Sequence, residues 1–140
     1  MEPRDPEYAE RVRRSFLRQV AMATIGAELL EVLPGRVTIG LPYRPDLTQQ
    51  DGYLHAGITT AIVDSACGYA ALSMMEPGRE VLSVEFKVNM LAPAVGSFFR
   101  ATGEVLKAGR TLTICRGEVF SVIDAEVKLI AAMQATMIAH

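Results

Sequence analysis

Two cysteines and two histidines are all that 140 residues offer a soft metal ion. His55 and His140 lie far apart, and Cys67 and Cys115 belong to no paired motif, so the ligand spacings of zinc sites are absent. No metal and no other cofactor is expected. Both cysteines sit in apolar stretches that read as core, and a bridge would need their Cα atoms within about 7 Å. Reduced, buried thiols are the expectation, and with them a cytoplasmic compartment. Basic clusters are lacking as well. The 14 Lys and Arg residues are scattered among 16 acidic ones, for a formal net charge of -2. That pattern argues against nucleic acid as a partner. The opening residues, Met1-Glu2-Pro3-Arg4-Asp5-Pro6, contain no apolar region of the kind a secretory leader needs.

Long apolar runs are scarce too, with one exception. Ala56 to Met75 is nearly free of charge, and a membrane span needs about 20 apolar residues. The segment is rich in Ala, Ser, Thr and Gly, lacks flanking basic residues and carries Asp64 mid-way. An aspartate at the centre of a membrane helix costs about 2.5–3.5 kcal/mol on insertion scales. The segment therefore reads as a buried helix of a protein that does not cross a membrane.

What is present suits one domain spanning 1–140. Half of the residues are hydrophobic and 21% are charged, enough for a single substantial core. From Pro6 to about Leu30, Tyr8, Val12, Phe16, Val20 and Ala23 recur at helical steps with arginines between them, which predicts an N-terminal helix. Arg36 to Leu41 alternates and reads as a short strand. A polar loop from Tyr43 to Gly52 follows, then the apolar helix from about 56 to 75, stopped by Glu76-Pro77-Gly78. Its all-round apolar character predicts a helix covered on every side. Strands are expected over Leu82–Met90, Phe98–Lys107, Thr111–Val122 and Val127–Met137, the second and third joined by Ala108-Gly109-Arg110. Gly117 is a candidate bulge. One apolar helix followed by antiparallel strands implies an α+β architecture in which a curved sheet wraps the helix, the hotdog arrangement.

The chemistry concentrates around Gly52-Tyr53-Leu54-His55-Ala56-Gly57 and Asp64. Amides of Ala56 and Gly57, in the first helical turn, have no intrahelical acceptor and sit at the positive end of the helix dipole. Gly57 also allows close approach of a ligand carbonyl. These are the materials of an oxyanion hole, though small residues at a helix start also serve packing. Asp64 is the sole ionisable side chain between His55 and Glu76 apart from Cys67 and Tyr69. A carboxylate on a buried helix must be hydrogen-bonded, protonated or functional. His55 stands where a side chain more often caps than titrates. A Ser83–His55–Asp64 triad stays open, although no nucleophile elbow surrounds Ser83. Cys67 reads as core rather than as a nucleophile.

Leu54-His55-Ala56-Gly57, Asp64, Leu82-Ser83-Val84 and Lys107-Ala108-Gly109-Arg110 together resemble the hotdog-fold acyl-CoA thioesterases of the PaaI-like group, over roughly Leu41 to Val122. The resemblance implies that Asp64 is the catalytic carboxylate, general base on water or nucleophile toward the thioester. It implies that Gly57, with the adjacent Ala56 amide, polarises the carbonyl, and that Ser83 assists near the attacking water. Gln49, or alternatively Gln50, falls where many relatives carry an asparagine. Lys107 and Arg110 fall in a hairpin that lies near the pantetheine and phosphates of CoA. The familiar His-Gly-Gly is His-Ala-Gly here, which keeps a backbone donor. The group implies a homodimer, or a tetramer of two dimers, with Asp64 of one subunit facing His55 and Gly57 of the other. A second reading is a hotdog protein that binds acyl-CoA without hydrolysing it, as a sensor or carrier; Asp64 is the feature that argues against it.

Overall fold

The computed structural model describes residues 1–140. Two short helices, α1 (Tyr8–Arg18) and α2 (Val20–Ile25), precede strands β1 (Glu28–Leu33) and β2 (Arg36–Pro42). The long helix α3 (Ala56–Leu72) comes next, then strands β3 (Val81–Met90), β4 (Phe98–Ala108), β5 (Leu112–Ile123) and β6 (Glu126–Ala139). The six strands form one antiparallel sheet in the order β1-β2-β4-β5-β6-β3. Helix α3 lies across its concave face, the hotdog arrangement.

The core is the layer between α3 and the sheet. From the sheet come Val37, Ile39 and Leu41 of β2, Phe99 and Ala101 of β4, Cys115 and Val119 of β5, and Met133, Ala135 and Met137 of β6. From α3 come Ile62, Val63, Ala66, Cys67, Ala70 and Ala71. Each strand delivers alternate residues to this layer, as the period of two requires. Gly103 and Gly117, paired across β4 and β5, let the helix lie directly on the sheet. A Cβ on Gly103 would fall 2.5 Å from the backbone of Ala66 and Cys67, and one on Gly117 would fall 2.5 Å from Val63 Cγ2.

Three expectations are corrected. The N-terminal helix does not run to Leu30. It breaks at Gln19 and ends at Gly26, whose φ of 80° is the left-handed stop glycine favours. Glu28–Leu33 is instead a strand, turned onto β2 through Pro34 and Gly35 (φ 77°). Gly117 is not a bulge: it pairs in register with Gly103 and Met133, and the β5–β6 register shifts instead at Val119/Phe120, where Ile130 of β6 is the extra residue. The long helix ends at Leu72 rather than Met75, and it is not covered all round. Ala56 and Gly57 are exposed, and Thr60, Ala61, Asp64, Ser65 and Gly68 are half-buried. The uncovered stripe of α3 is where the candidate site lies.

Arg11 fixes the far end of α3. Its guanidinium donates to the carbonyls of Leu72, Met75 and Glu76, each at 2.7 Å, and its Nε sits 3.5 Å from buried Asp5. A cation at a helix C-terminus satisfies orphan carbonyls and complements the dipole.

Candidate active site

Asp64 occupies the middle of α3, half-buried, and its Oδ1 accepts a hydrogen bond from Ser83 Oγ at 2.7 Å. This contact depends on an irregularity in β3. Strict alternation puts Ser83 on the face opposite Phe86, Val88 and Met90. In the structure the register shifts between Ser83 and Glu85, so Ser83 pairs with Met137 while Phe86, Val88 and Met90 pair with Ala135, Met133 and Ala131. Directly paired residues share a face, and those four β6 residues are buried against the helix. The bulge at Val84 therefore turns Ser83 inward to the carboxylate, a re-aiming for which bulges near functional sites are suited. Ser83 Oγ also lies 3.3 Å from Met137 Sδ.

Asp64 and Ser83 open onto a cleft of about 350 Å³, lined further by Ser15, Arg18, Gln19, Ser65, Gly68 and Tyr69. Gln19, at the break between α1 and α2, donates from Nε2 to Tyr69 OH at 2.8 Å and accepts from Ser65 Oγ at 2.9 Å. Arg18 and Glu80 stand at the rim, 3.9 Å apart. Sequence reasoning missed Gln19 and Ser65. Their only signal was a polar residue inside each helix, which periodicity alone does not distinguish from an exposed position.

The other candidates lie elsewhere in the chain. His55 is the N-cap of α3, and its Nδ1 accepts from the Gly57 amide at 2.8 Å. Ile58 and Thr59 amides bond to the His55 carbonyl, which leaves the Ala56 amide as the uncapped donor at the helix start. Gln49 Oε1 accepts from the amides of Asp51 and Tyr53 at 2.6 and 3.1 Å, so its carbonyl braces the loop. Gln49 and Ala56 line a second, more apolar cleft of about 160 Å³ with Leu54, Met90 and Ile130. Gln50 is exposed. Seven residues of helix separate Gly57 from Asp64, about 10.5 Å along the axis. The structure thus brings the candidates together in two separate groups: Asp64 with Ser83, and His55 with Ala56, Gly57 and Gln49. Lys107 and Arg110 are exposed at the β4–β5 hairpin. That hairpin is at the same end of the sheet as Ser83 but three strand spacings away, about 14 Å.

Cys67 and Cys115 are free and buried, and Cys115 Sγ donates to the Cys67 carbonyl at 3.4 Å. Burial pushes the Cys115 thiol up to about 12. The Cys67 thiol is pushed still higher, chiefly by burial, with Cys115 and Asp64 adding to it. Neither offers a thiolate near neutral pH, which removes both as nucleophiles. No cluster of three metal-ligating side chains exists, and no helix is long and apolar enough to cross a membrane.

An antiparallel sheet wrapped on one helix, with a carboxylate on that helix opposite a sheet serine, defines a hotdog domain with the makings of a hydrolase. The chain belongs to the thioesterase superfamily, whose family model matches residues 51–128. A thioesterase family protein from Silicibacter pomeroyi superposes with a TM-score of 0.93 at 53% identity, over 94% of this chain and 97% of that one. The PaaI protein of E. coli shares the fold, with a TM-score of 0.85 at 15% identity over 96% of this chain and 94% of that one. Human acyl-coenzyme A thioesterase 13 is 32% identical over 100 residues, 71% of this chain and 68% of the relative. A 1,4-dihydroxy-2-naphthoyl-CoA hydrolase from Listeria monocytogenes is 26% identical over 114 residues, 81% of this chain and 90% of the relative. Curated relatives are matched over 60% to 90% of their own length.

Proposed function

We propose that this protein hydrolyses an acyl-CoA thioester to the free acid and CoA, with Asp64 as the reacting carboxylate. The observation that carries the reading is the Asp64–Ser83 pair at 2.7 Å in an open cleft, within a chain of the thioesterase superfamily. Asp64 acts as general base on a water or attacks the thioester carbon itself. In either case negative charge develops on the carbonyl oxygen, and amides at a helix N-terminus stabilise it. A thiolate then leaves without strong acid assistance, and on the nucleophilic route a water cleaves the resulting acyl-Asp64 anhydride to release the acid and restore the carboxylate.

One chain cannot bring both parts to one carbonyl, because the Ala56 amide and Asp64 are eight residues, about 12 Å, apart on a rigid helix. The reading therefore includes a homodimer in which Asp64 and Ser83 of one subunit meet the α3 start of its partner, with Gln49 beside it. Support comes from β3, a sheet edge with Leu82, Val84, Phe86 and Met90 exposed at 57%, 53%, 40% and 42%. A long apolar edge strand calls for a partner. In this assembly Ala56 is the ready oxyanion donor, and Gly57 joins it only when the His55 ring swings off its amide. Lys107 and Arg110, exposed at the β4–β5 hairpin, are the candidates for the CoA phosphates.

The test is thiol release from short, medium, long and aryl acyl-CoAs by the wild type and by Asp64→Asn. The reading expects turnover by the wild type and a fall of about 10²–10⁴ in the variant, the usual range for a positioned base. Turnover that survives the substitution, or saturable binding with no hydrolysis by the wild type, would sink it; the latter result belongs to a sensor or carrier.

A further inference from the structure

The second cleft, at the start of α3, contains a buried hydroxyl that the chain itself leaves unpaired. Thr59 lines this cleft with Ala56 and Gln49. It is 1% exposed, and its Oγ1 has no hydrogen-bond partner. Arg11 Nε is the one other buried side-chain atom in that condition, and it faces the Asp5 carboxylate at 3.5 Å. Helix geometry explains why Thr59 differs from its neighbours. Helical threonines bond the carbonyl four residues back, as Thr24 Oγ1 does to Val20 at 3.0 Å and Thr60 Oγ1 to Ala56 at 2.7 Å. For Thr59 that carbonyl belongs to His55, which already accepts from the amides of Ile58 and Thr59 at 2.9 and 3.1 Å. A carbonyl oxygen has two lone pairs, so none remains for the hydroxyl. A buried hydroxyl without a partner is costly, and a valine would fill the same space without that cost. The partner must come from the cleft.

The helix start gives an independent reason. The Gly57 amide is engaged by His55 Nδ1 at 2.8 Å, and the Ile58 and Thr59 amides by the His55 carbonyl. Ala56 is thus the one backbone donor left for an incoming oxygen, whereas oxyanion sites combine several donors. Thr59 follows Ala56 by three residues, so the two share a helix face with their Cβ atoms about 5–6 Å apart. A helical side chain also leans back over the turn before its own. An oxygen seated between the Ala56 amide and the Thr59 hydroxyl can lie about 2.7–3.1 Å from both, the distance such a site requires. Leu54, Met90 and Ile130 line the same cleft, and an apolar wall that excludes water raises the worth of each donor.

We propose that Thr59 is a further catalytic residue, whose hydroxyl donates, beside the Ala56 amide, to the thioester carbonyl oxygen as that oxygen takes on negative charge. The proton stays on Oγ1 throughout, and no covalent bond to Thr59 forms. The inference rests on the hydrolase reading of Asp64, so its test has two separable arms. In the first, Thr59→Val removes the hydroxyl at nearly constant shape. Its kcat falls about 10²–10³-fold, the loss that removal of one oxyanion donor brings, and Thr59→Ser restores most of the turnover. Because the hydroxyl is unpaired in the resting protein, Thr59→Val also melts at a higher temperature than the wild type. A hydroxyl kept for structure would have the opposite effect. The second arm needs no hydrolysis. Calorimetry compares an acetyl-CoA analogue with a methylene in place of the thioester sulfur, which keeps the carbonyl, with S-ethyl-CoA, which lacks it. Thr59→Val weakens binding of the ketone roughly two- to tenfold, the effect of one lost hydrogen bond, and leaves the thioether unchanged. Undiminished kcat in Thr59→Val, a lowered melting temperature, or equal weakening of both analogues overturns the assignment. A wild type that hydrolyses nothing but binds the ketone through Thr59 overturns the function of Asp64 and leaves Thr59 as the carbonyl donor.

Discussion

Ser83 reaches Asp64 only because β3 bulges at Val84, and this sets the energetic weight of the pair. A hydrogen bond to a charged acceptor contributes about 1.5–3 kcal/mol. Ser83→Ala is thus expected to lower kcat roughly 10- to 100-fold, less than loss of the carboxylate, and steady-state kinetics at saturating substrate would show it. The cysteines give a second prediction at this scale. Cys115 keeps its proton to about 12 when folded, against an ordinary value of 9.0. Above pH 9 the unfolded chain releases that proton first, so the folded state loses stability as pH rises. The contribution is complete below about pH 9 and disappears toward pH 12. The stability advantage of wild type over Cys115→Ala, taken from urea midpoints, should therefore be smaller at pH 11 than at pH 8. Neither thiol should react with a disulfide reagent while the protein is folded.

At the scale of elements, α3 is held at both ends and along its back. The Arg11 fork spans three carbonyls at its C-terminus. Arg11→Ala should cost about 2–3 kcal/mol, within the range for charge-assisted bonds, and thermal unfolding would measure it. The close seating of the helix on Gly103 is the more sensitive contact. Gly103→Ala places a methyl against helix backbone that cannot yield, and overpacking of this kind costs about 1–3 kcal/mol. The element order from β2 onward was legible in the sequence, since each strand alternates and every break except the Asp124-Ala125 turn carries Pro or Gly. β1 was not, because Ile25 to Leu33 supports helical and strand spacing equally. Its one local signal was Pro34-Gly35 between two short apolar runs. Ser83 was legible as a candidate but on the wrong face, since alternation cannot anticipate a bulge set by pairing with β6. Gln19 and Tyr69 were illegible as a unit, being fifty residues apart in sequence.

At the scale of the molecule, the proposed reaction needs two groups of residues that lie apart on α3, and the homodimer proposed for it is open to test. In that reading Asp64, mid-way along α3, and the helix start are too far apart to act on one carbonyl, while two copies related by a twofold axis can bring Asp64 of one to the helix start of the other. Phe86→Glu, at the exposed edge, should then yield a monomer by sedimentation and lose turnover.

The most direct measurement is complementation between two inactive variants made by co-expression. Asp64→Asn removes the carboxylate. Ala56→Pro removes the free amide at the helix start, at a first-turn position where proline fits and after a residue already extended at ψ 136°. Each homodimer should be nearly inactive, the second by the 10²–10³-fold that loss of one oxyanion donor usually brings. The mixed dimer pairs one intact half with the other, so the mixture should recover roughly a quarter of wild-type turnover. Activity no greater than the average of the two parents would contradict a site built from Asp64 of one subunit and the helix start of the next.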